Sequence, residues 1–275
     1  MERVYDDVRL AGAYHAGNEM PEASLRAWVE LIGSFTPRSD PAVVEIGAGT
    51  GMFCAALARW GRASLVVGVD PSAAMLAQAA RFNEQTGVHY VGGSADAVPT
   101  RGQLFDLALL SRVIHHLPDR RACARELVRI LRPGGVVVIR TTFREQLDAR
   151  VYDYWPRLRE VDERRFPGRQ EVLADFTACG FSVLEVTSFA QPVTTGLREY
   201  HARMATMPQS KFTHLTDVEF QSGLRRLEAD AAAEPVTRPC PVQERYDVVA
   251  LALAQLSLAW PRESGARRIT PDSRR

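Results

Sequence analysis

The chain has 275 residues, 46% of them hydrophobic and 24% charged, with a formal net charge of +1 at pH 7. That length buries a full core, either as one large domain or as a domain with a sizeable insertion. The near-neutral balance supplies no overall field for nucleic acid or a membrane surface, and no apolar run reaches the roughly 18 residues of a bilayer span. The opening residues Met1 to Asp7 are charged and lack the apolar centre of a signal peptide, so a cytoplasmic location is expected. Cys54, Cys123, Cys179 and Cys240 are scattered without metal-ligand spacing, which suits reduced thiols and no metal site. Lys211 is the one lysine among 34 Lys and Arg residues, a bias read as the codon usage of a GC-rich genome.

Leu25, Trp28, Val29 and Ile32 share one helical face over about Pro21–Ser34. A strand follows at Ala42–Ile46, then helix Met52–Arg59, strand Ser64–Val69, helix Ala73–Glu84 and a short strand Val88–Val91. Leu104–Leu110 reads as a fourth strand. Asp119 caps a helix that ends near Leu131, because Pro133-Gly134-Gly135 cannot continue it. Val136–Arg140 is a fifth strand whose unbroken apolar run implies burial on both faces. Alternating strands and helices predict an α/β chain with a doubly wound, mostly parallel sheet. A helix over Glu171–Cys179 and strands Ser182–Val186 and Tyr246–Leu253 complete it. The helix-rich excursion from Thr187 to Arg245 predicts a cap over the ligand edge, and the irregular stretch from Phe143 to Gly168 adds to it. The expected division is a lid segment over 1–40, a core over 41–190, a cap over 191–244, a last strand over 245–256 and a tail over 257–275 that is disordered by default.

The chemistry concentrates at strand ends. Val43-Val44-Glu45-Ile46-Gly47-Ala48-Gly49-Thr50-Gly51 closes the first strand, and Asp70 closes the second, nineteen residues after Gly51. Glycines allow a sharp turn and a close backbone approach to a ligand, and an acid at the second strand end can accept from both ribose hydroxyls. The spacing Gly-x-Gly-x-Gly differs from the dinucleotide fingerprint Gly-x-Gly-x-x-Gly. Glu45 just before the loop disfavours a phosphate and favours a cation, such as a ligand carrying a sulfonium and an ammonium group.

With Val69-Asp70-Pro71-Ser72, Gly93-Ser94-Ala95-Asp96-Ala97-Val98-Pro99, Phe105 to Ser111 running into His115-His116-Leu117, and Leu131-Arg132-Pro133-Gly134-Gly135, the chain resembles the class I S-adenosylmethionine-dependent methyltransferases from about Val43 to Leu253. The resemblance implies a seven-stranded Rossmann-like sheet with a helical cap inserted before the last strand, and S-adenosyl-L-methionine as cofactor with S-adenosyl-L-homocysteine as product. It places the backbone of Gly47, Ala48 and Gly49, with Glu45, beside the methionine part and Asp70 on the ribose. Pro71 and Met75 pack near the adenine, Asp96 accepts from its amino group, the Ala97 amide donates to a ring nitrogen, and Ser111 approaches the methionine end. Tyr14-His15-Ala16-Gly17-Asn18 is similar to the segment that folds over the cofactor in related enzymes, with Tyr14 closing the pocket. Asn18 stands where those often carry arginine.

On the acceptor side, His115 or His15 is the candidate base where a proton must leave the nucleophile. Packing beneath the cofactor, or a bond to a loop carbonyl, is the competing role for His115. Arg112 and Arg140 end neighbouring strands and suit a substrate carboxylate or phosphate, with pairing to Asp106 or Glu126 as the alternative. Tyr200 of the cap is a further substrate candidate. The expected function is methyl transfer to a small molecule, with a bacterial specialised metabolite as acceptor. An S-adenosylmethionine-binding enzyme of another reaction, such as a cyclisation, is the alternative. A nicotinamide-dependent dehydrogenase is disfavoured by the glycine spacing. Nucleic acid and membrane are not expected partners, and homo-oligomerisation is left open.

Overall fold

Buried valines and leucines on successive strands divide into two sets by the period of two, and this division builds the protein. The computed structural model describes residues 20–36, 38–207 and 210–254. Seven strands form one sheet in the order β3-β2-β1-β4-β5-β7-β6. They are β1 (Ala42–Ile46), β2 (Leu65–Asp70), β3 (Val88–Gly92), β4 (Phe105–Ser111), β5 (Leu131–Thr141), β6 (Phe181–Thr194) and β7 (Val242–Leu253). β1 to β5 pair in parallel, and β7 runs antiparallel to both β5 and β6. Val43, Leu107, Leu109, Val136 and Val138 face one side, where Trp28 and Ile32 of α1 (Glu22–Ser34) and Phe53 and Leu57 of α2 (Met52–Trp60) cover them. Val44, Ile46, Leu110, Val137 and Ile139 face the other, beneath Leu127 of α4 (Arg120–Ile130) and Phe176 of α7 (Arg169–Thr177). A sheet covered on both faces needs the apolar runs seen in β1, β4 and β5. Helix α3 (Ala73–Phe82) links β2 to β3 and is capped by the Ser72 hydroxyl, which accepts from the Met75 N–H.

Four parts of the chain differ from the sequence expectation. β5 starts at Leu131 rather than Val136: Leu131 pairs with Phe105, the register then shifts, and pairing resumes at Leu107 with Val136. The Pro133-Gly134-Gly135 segment, with Gly134 at φ 76°, is absorbed as an irregularity within the strand. β6 and β7 also run well past the core, pairing as far as Thr194 with Val242. The helical excursion therefore occupies 195–241, because cross-strand pairing continues through polar residues that read as cap. The stretch from Phe143 to Gly168 is helical in its larger part, with α5 (Val151–Tyr154) and α6 (Pro156–Arg165).

Those helices join α8 (Leu197–Met204) and α9 (Asp217–Ala233) around a third apolar cluster, centred on Trp155. The Trp155 ring stacks on Phe220 with centroids 5.9 Å apart and meets Phe212 edge-on at 5.3 Å. Its indole N–H donates to the Phe220 carbonyl at 3.0 Å. Gly223 makes room for it, since a Cβ there would lie 2.1 Å from the indole nitrogen. Among the described residues no helix is long and apolar enough to cross a membrane.

Candidate active site

The turn after β1 is forced into shape by three glycines with positive φ: 69° at Gly47, 54° at Gly49 and 78° at Gly51. Other residues rarely adopt these values. The Gly47 and Ala48 amides donate to the Val69 carbonyl at 2.8 and 3.0 Å, which ties the turn to β2. Gly51 opens α2 beneath the Tyr90 hydroxyl, where a Cβ would come within 2.3 Å.

A cavity of about 410 Å³ opens above this turn, lined by Glu45, Gly47, Ser111, Arg112, Arg140 and Tyr246 among others. Glu45 is 2% exposed and accepts a hydrogen bond from the Cys54 thiol at 3.0 Å. Burial, reinforced by the Asp70 charge and opposed by the thiol and by Arg140, raises its pKa to about 8. A cation in the cavity would reverse that balance. Glu45 and Glu244 are the lining carboxylates available to a ligand's positive charge, against Arg112, Arg140 and Arg203.

Arg140, at the end of β5, is buried in an aromatic cage. Its guanidinium carbon lies 3.7 Å from the Tyr246 centroid and 4.7 Å from that of Trp28. It donates to Gln191 Oε1 at 2.9 Å and to Ser111 Oγ at 3.3 Å. The acids that competed for it in the sequence are engaged elsewhere. Asp106 pairs with Arg132 at 2.6 Å and Arg38 at 2.7 Å, and Glu126 with Arg129 at 2.6 Å. Arg112 leaves β4 in a left-handed turn (φ 57°), its amide bonded to the Arg140 carbonyl at 2.8 Å. A left-handed conformation costs a non-glycine residue of order 1–3 kcal/mol, so the surrounding structure must hold Arg112 in it.

The proposed adenosine contacts lie outside this cavity's lining. Asp70 is 8% exposed and accepts from the Gly49 amide at 2.8 Å and the Ser72 amide at 2.9 Å, so its carboxylate braces the glycine turn. Met75 is buried on α3, and Pro71 is exposed at its start. Asp96 is exposed, with its pKa lowered by hydrogen bonds from Ser94 and its own amide. The Ala97 amide donates to the Ser94 carbonyl at 3.2 Å, so it must turn from that bond to meet a ring nitrogen. Tyr14, His15 and Asn18 lie outside the described residues.

His115 sits in the short 3₁₀ turn Ile114–His116, its ring 4.1 Å from His116 and 4.4 Å from Phe166. Burial first, then His116 and the positive charges of Arg165, Arg112 and Lys211, hold its pKa well below the usual histidine range. It therefore stays neutral, and the same surroundings oppose its taking up a proton. It lines a second cavity of about 70 Å³, which shares Arg112, Glu244 and Tyr246 with the first. Tyr200 is 1% exposed and packs inside the cap cluster, on neither cavity wall, because its ring fills the space between α8 and its neighbours. From the same helix, Arg203 and Met204 reach the larger cavity. Gln191, Glu244 and Tyr246 were not read as site residues. The alternation of Val242, Glu244, Tyr246 and Val248 with polar neighbours was the available signal, since period two marks a strand running on to the ligand edge.

Residues 44–139 match a family described as a methyltransferase domain. Over 265 residues the chain is 27% identical to a malonyl-[acyl-carrier protein] O-methyltransferase of Enterobacter lignolyticus, covering 95% of this chain and 90% of that one. It is 30% identical over 158 residues to a demethylmenaquinone methyltransferase of Roseiflexus castenholzii, covering 56% and 65%. An uncharacterised methyltransferase of Mycobacterium sp. is 37% identical over 100 residues, and the chain spans only 38% of that relative's length. Among solved structures, one from Anabaena variabilis, provisionally assigned as a methyltransferase of an antibiotic biosynthesis pathway, superposes with a TM-score of 0.70 at 23% identity, covering 82% of this chain and 97% of that one. The [4+2]-cyclase SpnF superposes at 0.57 with 17% identity, covering 83% and 80%. Both structural likenesses concern the fold alone.

Proposed function

We propose that this chain, which belongs to the class I S-adenosylmethionine-dependent methyltransferases, transfers the methyl group of S-adenosyl-L-methionine to a small-molecule acceptor. The observation that carries this reading is the larger cavity itself. Its floor is the glycine turn with buried Glu45, and its facing wall is Ser111, Arg112, Arg140 and Tyr246. The floor suits the charged methionine end of the cofactor and the facing wall an acceptor, within one open cavity.

When bound, the cofactor supplies a methyl carbon already activated by the sulfonium. The chain's residues align the partners and exclude water. In this reading Gly47, Ala48 and Gly49 run beside the methionine part, and Glu45 supplies negative charge below it. Asp70 shares its carboxylate between the turn and the ribose. Pro71, Met75, Asp96 and Ala97 receive the adenine, Ser111 contacts the methionine end, and Tyr14 closes over it. Arg112 and Arg140 hold the acceptor. His115, or His15, is the candidate to take a proton where the nucleophile must lose one; His115 lines the smaller cavity, which meets the larger at Arg112, Glu244 and Tyr246.

The relatives that align over nearly the whole chain are named for malonyl-[acyl-carrier protein], and a partial one for demethylmenaquinone. Both names support an acceptor from metabolism; a specialised metabolite is the acceptor we favour. Incubation with methyl-labelled S-adenosylmethionine and candidate acceptors tests the reading. The expected result is a labelled product heavier by one CH₂ unit. A product formed without label would replace transfer by another reaction on the same fold.

A further inference from the structure

The smaller cavity has a chemical character of its own. Its wall carries Arg112, His115, Arg165 and Lys211, with the Tyr152 hydroxyl among them. Counting every charged side chain of the lining, four cations (Arg112, Arg165, Lys211, Arg245) face three carboxylates (Asp148, Asp162, Glu244). Two of those carboxylates are matched locally. Asp162, 2% exposed, accepts from Lys211 at 2.9 Å and from the Tyr152 hydroxyl at 2.8 Å, and Asp148 pairs with Arg245 at 2.6 Å. Glu244 accepts from the Tyr246 hydroxyl at the rim between the cavities. Among the described residues Arg165 makes no ion pair, and the buried Nδ1 of His115 has no hydrogen-bond partner. A buried, unsatisfied ring nitrogen under an excess of positive charge is costly, and an anion would relieve it. After burial and His116, the same three charges also lower the His115 pKa.

We infer that this cavity is a carboxylate subsite of the acceptor, held by Arg165, Arg112 and Lys211. The acceptor atom reaches back past Arg112, Glu244 and Tyr246 into the larger cavity. The volume of about 70 Å³ admits a carboxylate and its adjoining carbon but no ring system. The inference rests on the methyl-transfer reading, which assigns the acceptor to this edge.

The test is calorimetric titration of the full chain, saturated with S-adenosylhomocysteine, using malonate, its uncharged dimethyl ester and inorganic phosphate. Malonate is expected to bind and the ester not to. R165Q should weaken malonate about tenfold while leaving S-adenosylhomocysteine affinity unchanged. The same titration followed by NMR of the histidine rings should move the His115 signals in the wild-type protein, which keeps the test independent of the variant's folding. Absence of malonate binding, preference for phosphate, equal binding of the ester, or an unmoved His115 would each overturn the subsite. Failure of S-adenosylhomocysteine to bind at all would instead overturn the methyl-transfer reading.

Discussion

The guanidinium carbon of Arg140 lies 3.7 Å from the centre of the Tyr246 ring, joining the end of β5 to the extended part of β7. A planar cation stacked on an aromatic face and bonded to Gln191 cannot be replaced by a point charge. R140K should therefore cost about 1–2 kcal/mol of stability in urea unfolding, from the lost stacking and hydrogen bonds. In steady-state kinetics it should raise the acceptor KM about tenfold, with cofactor affinity little changed. An equal loss for both ligands would place Arg140 under the cofactor instead.

Glu45 makes cofactor binding pH-dependent. Its folded pKa of about 8 stands above the ordinary 4.5, so the folded state holds a proton that the unfolded chain has released between those values. Stability of the ligand-free protein should fall as pH rises across that window, because the unfolded state binds fewer protons there. Affinity for a cationic cofactor should rise over the same window as the carboxylate ionises. E45Q should abolish both slopes, measured by thermal unfolding and by titration of S-adenosylmethionine. A flat wild-type profile would show that Glu45 does not meet the ligand.

Asp70 accepts from the Gly49 and Ser72 amides, so its loss acts on the turn and the ribose contact together. D70A should lower stability by about 1–3 kcal/mol and weaken S-adenosylhomocysteine by at least about tenfold in calorimetry. Unchanged affinity would confine Asp70 to bracing the turn.

Gly223 offers a test of the cap apart from the cofactor side. Because a Cβ there meets the Trp155 indole, G223A should destabilise the chain by about 1–3 kcal/mol through overpacking. Acceptor KM should rise, while cofactor affinity, set across the sheet edge at the glycine turn, should hold. Loss of cofactor affinity in a folded variant would show that the cap reaches further than its contacts indicate.

The sheet and the glycine turn were readable because their signals are local. The apolar run of β1 matches the observed Ala42–Ile46, and the positive φ values fall on the glycines that the spacing singled out. The acceptor wall was less readable. Arg112 and Arg140 were placed by strand ends alone, which the topology confirms as neighbours through the pairing of Ser111 with Arg140. Gln191, Glu244 and Tyr246 escaped because their positions depend on β6 and β7 pairing beyond the core, a contact between segments more than fifty residues apart in the chain. Tyr200 has the chemistry of a substrate contact, whereas its position is decided by packing among cap helices that no single-helix pattern specifies.

The burial of Lys211 has a practical side. Its ammonium sits at 12% side-chain exposure beside Asp162, with burial lowering its pKa, and no other lysine exists in the sequence. Apart from the α-amine, amine-selective reagents thus find a single interior target. The rate at which they reach it becomes a gauge of how far the cap opens, and of which small molecules hold it shut.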